Sequence, residues 1–231
     1  MSTTFAFALL SGILPALLWL WFWLKEDNLH PEPRMLIFFA FIGGMIAVPL
    51  VVPFQRIIAE TFTDPTIKYM LWAAVEEIAK FAAAYIFALR TRFMDEPIDA
   101  MIYMITVALG FAALENAFFL LKPLMLGDAM RSVVTGNLRF MGATLLHVVS
   151  SAAVGLFIAL PYFKSKLHKI VDLSFGILFA IALHTAFNLF IIRSTGSDTF
   201  IIFACVWAVV VLMILMFEKV KNINPPQVQL H

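Results

Sequence analysis

The chain has 231 residues, 62% of them hydrophobic and only 13% charged, with 24 Phe. A soluble domain carries about 25% charged residues, so this composition excludes an ordinary soluble enzyme and indicates a polytopic membrane protein. A net charge of +1 without a basic block excludes a nucleic-acid partner, and the single Cys205 excludes an intrachain disulfide or a cysteine metal site.

Apolar runs of about 20 residues, long enough to cross a bilayer, fall at 4–24, 35–54, 69–89, 98–121, 140–163, 170–192 and 198–217. They predict an all-α bundle of about seven transmembrane helices, forming one integral membrane domain over 1–231. The first run has no Lys or Arg before Lys25 and is too long for a signal-peptide core, so it is expected to be a retained helix. Pro15, Pro49 and Pro53 are expected to kink their helices rather than end them. Trp19, Trp21 and Trp23 are read as an interface belt.

The connectors lie at 25–34, 90–97 and 164–169, with a longer amphipathic one at 122–139 expected to rest partly in the interface. The tail from Asn222, with Pro225-Pro226, is expected to be loose. Gly43-Gly44, Ala82-Ala83-Ala84 and Ser151-x-x-x-Gly155 mark close helix approaches. The side of the bundle holding the C-terminus carries more Lys and Arg, which predicts the N-terminus outside and the C-terminus in the cytoplasm.

Against this apolar background stand Glu76, Glu77 and Lys80 in the third run. A charge near a bilayer centre costs roughly 2.5–3.5 kcal/mol on insertion scales, so such residues must face the protein interior. Lys80 follows Glu76 by four residues and Glu77 by three, so it is expected to neutralise one carboxylate and leave the other free for chemistry. The preferred arrangement has Glu77 as general base and Glu76 oriented by Lys80, with the roles open to exchange. Glu115 and Asn116 lie in the fourth run, His147 in the fifth, and His184 and Asn188, one helical turn apart, in the sixth.

Depths counted from one membrane face agree. Glu76 lies seven residues in from Tyr69, Glu115 six from Leu121, His147 seven from Phe140 and His184 eight from Ile192. At about 1.5 Å per residue all four sit roughly 9–12 Å deep, nearer the outer face by the charge count. Two His and a Glu are the ligand set of many catalytic zinc sites, and a further Glu is a general base for water. Without metal, a desolvated Glu with a raised pKa activates water as well. Asn188 is a candidate donor to the oxyanion.

Each residue also has a structural reading. The three charges of the third run form an interhelical ion-pair network, and His147 and Asn116 tie helices together by hydrogen bonds. His30, His168 and His231 fall in loops or the tail and are expected to be solvated.

The pattern Glu76-Glu77-x-x-Lys80, Glu96-Pro97-Ile98-Asp99-Ala100, then Leu109-Gly110-Phe111-Ala112-Ala113-Leu114-Glu115-Asn116, followed by two intramembrane His, resembles the PrsW intramembrane proteases. These are grouped with the CAAX prenyl endopeptidases and bacteriocin-processing membrane enzymes. The resemblance covers roughly Tyr69 to Ile192 and implies a catalytic layer of Glu76, Glu77, Glu115, His147 and His184. It implies Glu115, His147 and His184 as holders of a metal, zinc above all, or as positioners of the water in a metal-free mechanism. His184-x-x-x-Asn188 matches the last motif of the wider group, and Arg139 takes the place of a basic residue often found before the first His.

The function implied is cleavage of a membrane-anchored protein substrate, such as an anti-sigma factor, on the extracytoplasmic side of a bacterial inner membrane. A CAAX or leader-peptide endopeptidase is the rival within the enzyme class. A non-catalytic scaffold is disfavoured by the paired Glu, and a proton-coupled transporter by the lack of an internal repeat.

Overall fold

In lipid an unpaired backbone amide costs several kcal/mol, so apolar runs of this length close their hydrogen bonds within helices. The computed structural model describes residues 2–25, 31–194 and 198–223, and the readings of His30, His231 and the Pro225-Pro226 tail lie outside the described residues. Eight α-helices follow one another: α1 (Ser2–Lys25), α2 (Arg34–Thr61), α3 (Pro65–Ala84), α4 (Asp99–Met125), α5 (Ala129–Leu138), α6 (Thr144–Ala159), α7 (Lys166–Arg193) and α8 (Asp198–Lys221). A π-helical turn, Tyr85–Leu89, extends α3, and another, Arg139–Ala143, fuses α5 with α6. The result is seven helical rods with no strand among the described residues, as the composition predicts.

Six of the rods are long and apolar enough to cross a membrane. The remaining rod is α3, whose apolar run is interrupted by Glu76, Glu77 and Lys80. Asp64 caps it by accepting from the Ile67 amide at 2.9 Å, and Pro65 occupies the first turn, where its missing N–H costs nothing.

Two boundaries differ from expectation. α2 runs on to Thr61, beyond the expected end at Phe54, with Arg56 and Glu60 pairing one turn apart at 3.0 Å. The expected interfacial connector 122–139 is mostly helix: α4 continues to Met125, Gly127 turns the chain at φ 69°, and Asp128 caps α5 through the Arg131 amide at 2.9 Å. Pro15, Pro49 and Pro53 lie inside their helices without ending them.

The tryptophan belt needs correction. Trp21 is exposed, but Trp23 is buried against Phe217, and Trp19 packs on Phe140 and Trp207. Their rings fill the seam between α1, α8 and the Arg139–Ala143 turn.

α4 is the central rod, buried along most of its length and packed on α1, α2 and α6. Its crossing with α2 is a backbone contact. A Cβ on Gly44 would fall on the Val107 carbonyl, and one on Gly110 would fall on the Phe41 carbonyl. α3 packs on α2 and α7 and carries the buried Glu76, Glu77 and Lys80.

Gly44→Val therefore drives a side chain into backbone that no rotamer change relieves, at about 1–3 kcal/mol or more. Thermal unfolding in detergent is expected to show a larger loss for Gly44→Val than for Gly127→Ala, which meets open space and has only its positive φ to oppose it.

Candidate active site

α3 presents two adjacent glutamates about 100° apart around its axis, and they reach different neighbours. Glu77 and Lys80 are wholly buried, and Glu76 is 4% exposed. Lys80 Nζ donates to Glu77 Oε1 at 2.6 Å and to His147 Nδ1 at 3.0 Å. His184 Nδ1 donates to the same Glu77 oxygen at 2.7 Å, and Ser151 Oγ donates to Glu77 Oε2 at 3.3 Å. Glu77 is thus an anion held by an ammonium, an imidazole and a hydroxyl from α3, α7 and α6.

Glu76 faces the other way. Its Oε1 accepts from Gln55 Nε2 of α2 at 2.7 Å, while its Oε2 is buried without a hydrogen-bond partner. That oxygen stands 3.6 Å from His184 Nε2. With the ring proton assigned to Nδ1 by the Glu77 bond, Nε2 is a lone-pair atom too. Two acceptors facing each other across a buried gap repel unless a cation or a proton lies between them.

His147 accepts from Lys80 at Nδ1, which places its proton on Nε2, donating to Glu115 Oε2 at 3.1 Å. Arg139 donates to that same Glu115 oxygen and, through Nε, to Asn116 Oδ1. Asn116 Nδ2 in turn donates to Thr144 Oγ1 at 2.9 Å. The Arg139 guanidinium lies 3.8 Å over the Phe119 ring. The His147 and His184 rings meet edge to face with centroids 5.0 Å apart.

A cavity of about 610 Å³ opens in front of these groups. Glu76, Glu115, His147, His184 and Asn188 line it, together with Gln55, Arg139 and an apolar wall that includes Val51, Trp72, Phe111, Phe187 and Phe203. Glu77 and Lys80 stand behind this wall. One donor atom each from Glu76, His147 and His184 lies within 4.8 Å of the other two, and all three residues are buried. The donor set, together with the unpartnered Glu76 oxygen, fits a divalent metal.

The layer inferred from helix depths therefore comes together, with a different distribution of partners. Lys80 pairs with Glu77 rather than Glu76. Glu115 stays with Arg139 and His147, outside the three-donor group, and Asn188 lines the cavity one turn beyond His184. His168 is a surface residue bonded to Ser165 at 2.8 Å. Sequence reasoning misses Gln55 because the second apolar run ends at Phe54. The available signal is an amide two residues after Pro53, still in helical register. Ser151 reads from the sequence only as a small packing residue.

Breaking the buried pair from the cationic side leaves Glu77 without its strongest partner. Lys80→Met is expected to destabilise the protein by about 3–5 kcal/mol, read as a lower unfolding temperature in detergent. Arg56→Ala, at the exposed pair with Glu60, is expected to leave that temperature unchanged.

The family described as PrsW family intramembrane metalloprotease matches residues 31–216. The chain is 26% identical over 216 residues to a protein named Protease PrsW from Shouchella clausii, covering 92% of this chain and 95% of that one. It is 28% identical over 164 residues to Protease PrsW of Geobacillus kaustophilus, 69% of each chain. It is 25% identical over 222 residues to that of Halalkalibacterium halodurans, covering 94% and 96%. No solved structure matches the chain at a significant level.

Proposed function

The chain belongs to the PrsW family of intramembrane metalloproteases and is a membrane protease, and from that premise we propose that it hydrolyses a peptide bond of a membrane-anchored protein of the anti-sigma-factor type. The reaction takes place in the cavity in front of Glu76, His147 and His184, on the extracytoplasmic side of a bacterial cell membrane. The observation that carries this reading is the buried, unpartnered Glu76 Oε2 facing His184 Nε2.

Glu76, His147 and His184 are the residues that would hold a divalent metal, and zinc is the ion whose common donors match them. Such a metal, when bound, acidifies a water and polarises the scissile carbonyl. Glu77 works from behind the cavity wall. It accepts His184 Nδ1–H, fixes that tautomer and so aims Nε2 into the cavity. Lys80 is the counter-ion of Glu77. Both nitrogens of His147 are engaged, Nδ1 by Lys80 and Nε2 by Glu115, so His147 would hold a metal through Nε2 only with Glu115 released, the ring proton on Nδ1 and the Lys80 ammonium turned wholly to Glu77.

Glu115 is the remaining carboxylate of the cavity wall. It takes the proton of the attacking water and passes it to the leaving amine, with Arg139 beside it as counter-ion. Asn188 donates to the developing oxyanion. This exchanges the roles expected from the sequence, where Glu115 is grouped with the two His and Glu77 is the base. The reason is access: Glu77 does not line the cavity, and Glu115 already has a guanidinium partner. The same gap beside Glu76 also suits a proton. In that metal-free version Glu76 itself activates the water.

Mapping new protein N-termini tests the reading across all membrane proteins at once, with no substrate chosen beforehand. Membranes are taken from cells making the wild type, the Glu115→Gln variant or the Glu76→Gln variant. Fragments of single-span proteins present with the wild type are expected to fall by about 10²-fold or more in either variant. Undiminished cleavage by Glu115→Gln would remove that residue as the base.

Elemental analysis of the purified protein separates the two versions. Close to one metal ion per chain is expected for the wild type and none for Glu76→Ala/His184→Ala. No metal in a wild type purified without chelators and offered zinc would favour the glutamate mechanism.

A further inference from the structure

Gln55 has no part in the chemistry so far. It sits in the last turns of α2, partly buried, on the wall of the cavity. Its side-chain amide donates to Glu76 Oε1 at 2.7 Å, and its backbone carbonyl accepts from Trp72 Nε1 at 2.9 Å. Trp72 lies one turn before Glu76 on α3, so α2 grips α3 at two adjacent points. The indole fixes the carbonyl, and the amide fixes the carboxylate.

The consequence lies in which oxygen remains free. A glutamate with both oxygens open either chelates a cation through both or swings between them. Here Oε1 is engaged by a neutral N–H donor, and Oε2 alone is unpartnered, 3.6 Å from His184 Nε2. A lysine in place of Gln55 would compete with the metal by its charge, and an apolar residue would leave Oε1 free. An amide directs the carboxylate without neutralising it.

We propose that Gln55 is a positioning residue that holds Glu76 Oε1, so that Glu76 meets the active-site cation through Oε2 alone. The inference rests on the reading of Glu76 as a metal holder. It brings α2, which lies within the family match over residues 31–216 but carries none of the polar motifs read from the sequence, into the functional unit.

The test uses the full-length protein in detergent, freed of metal by chelation and titrated with Co²⁺. Visible absorption then reports both affinity and coordination number, because four-coordinate cobalt absorbs more strongly than five- or six-coordinate cobalt. Gln55→Met keeps the volume and removes the donor, and Gln55→Glu keeps the shape and replaces the donor by an acceptor. Both are expected to bind Co²⁺ about 10–100-fold more weakly. Gln55→Met is also expected to show a weaker band as Oε1 joins the coordination.

Helical circular dichroism identifies whichever variant is folded, and either one suffices. A folded variant with the wild-type affinity and spectrum would overturn the proposal. A wild type that binds no Co²⁺ would overturn the metal reading beneath it, a result distinct from unchanged binding in the variants.

Discussion

One ammonium inside the bundle organises the whole site. Lys80 is wholly buried and touches Glu77 on its own helix and His147 on α6, while Glu77 reaches on to His184 on α7 and Ser151 on α6. In a low-dielectric interior each of these groups would be prohibitive alone, and together they satisfy one another. Three helices are thereby locked at one rotation about their axes, which sets where the free nitrogen of His184 points. Counting formal charge with neutral imidazoles, Lys80 balances Glu77 and Arg139 balances Glu115. Glu76 is the carboxylate left over, and it is the one with an unpartnered oxygen in the cavity wall. A site built this way calls for a cation.

The π-helical turn before α6 does related work. Arg139 and His147 are eight residues apart, which in a regular α-helix sets them roughly 80° apart around the axis. A wider turn with i→i+5 bonds absorbs an extra residue and removes most of that offset. Both side chains consequently meet the same oxygen of Glu115. The cost of a less regular helix here is offset by a guanidinium and an imidazole converging on one carboxylate. The Arg139 segment also packs against α1 and α8 through Phe140 and Gly142, where Trp19 and Phe203 fill the space. These outer helices thus brace the wall that holds Arg139.

The sequence makes some of this visible and hides the rest, for a physical reason. Hydropathy and spacing give the length of each helix, its direction and the depth of its polar residues. That is enough to gather Glu76, Glu77, Glu115, His147 and His184 into one layer from residues scattered over 109 positions. Spacing does not give the rotation of one helix against another. Lys80 is within reach of both Glu76 and Glu77 along α3, and only the positions of α6 and α7 decide for Glu77. Gln55 is hidden for a related reason, since a hydropathy window ends where polar residues begin, whereas the helix continues through them to Thr61. Trp19 and Trp23 mislead in the opposite sense: an aromatic near a helix end suits an interface or a helix seam equally well, and α8 makes it a seam.

The adjacency of the two glutamates follows from the position of α3. This helix is the partition between a buried polar cluster and the cavity, and neighbouring residues on it point about 100° apart. A pair spaced by four residues would share one face, and both members would enter the same environment. Adjacent residues are instead divided by the partition. Glu77 falls on the core side, where Lys80, His184 and Ser151 saturate it, and Glu76 falls on the cavity side, where Gln55 holds one oxygen. His184 touches both through its two ring nitrogens, with Nδ1 on Glu77 and Nε2 facing Glu76. One imidazole therefore links the carboxylate of the buried cluster to the carboxylate of the cavity wall, and neither glutamate can take the other's place without turning the helix that carries them both.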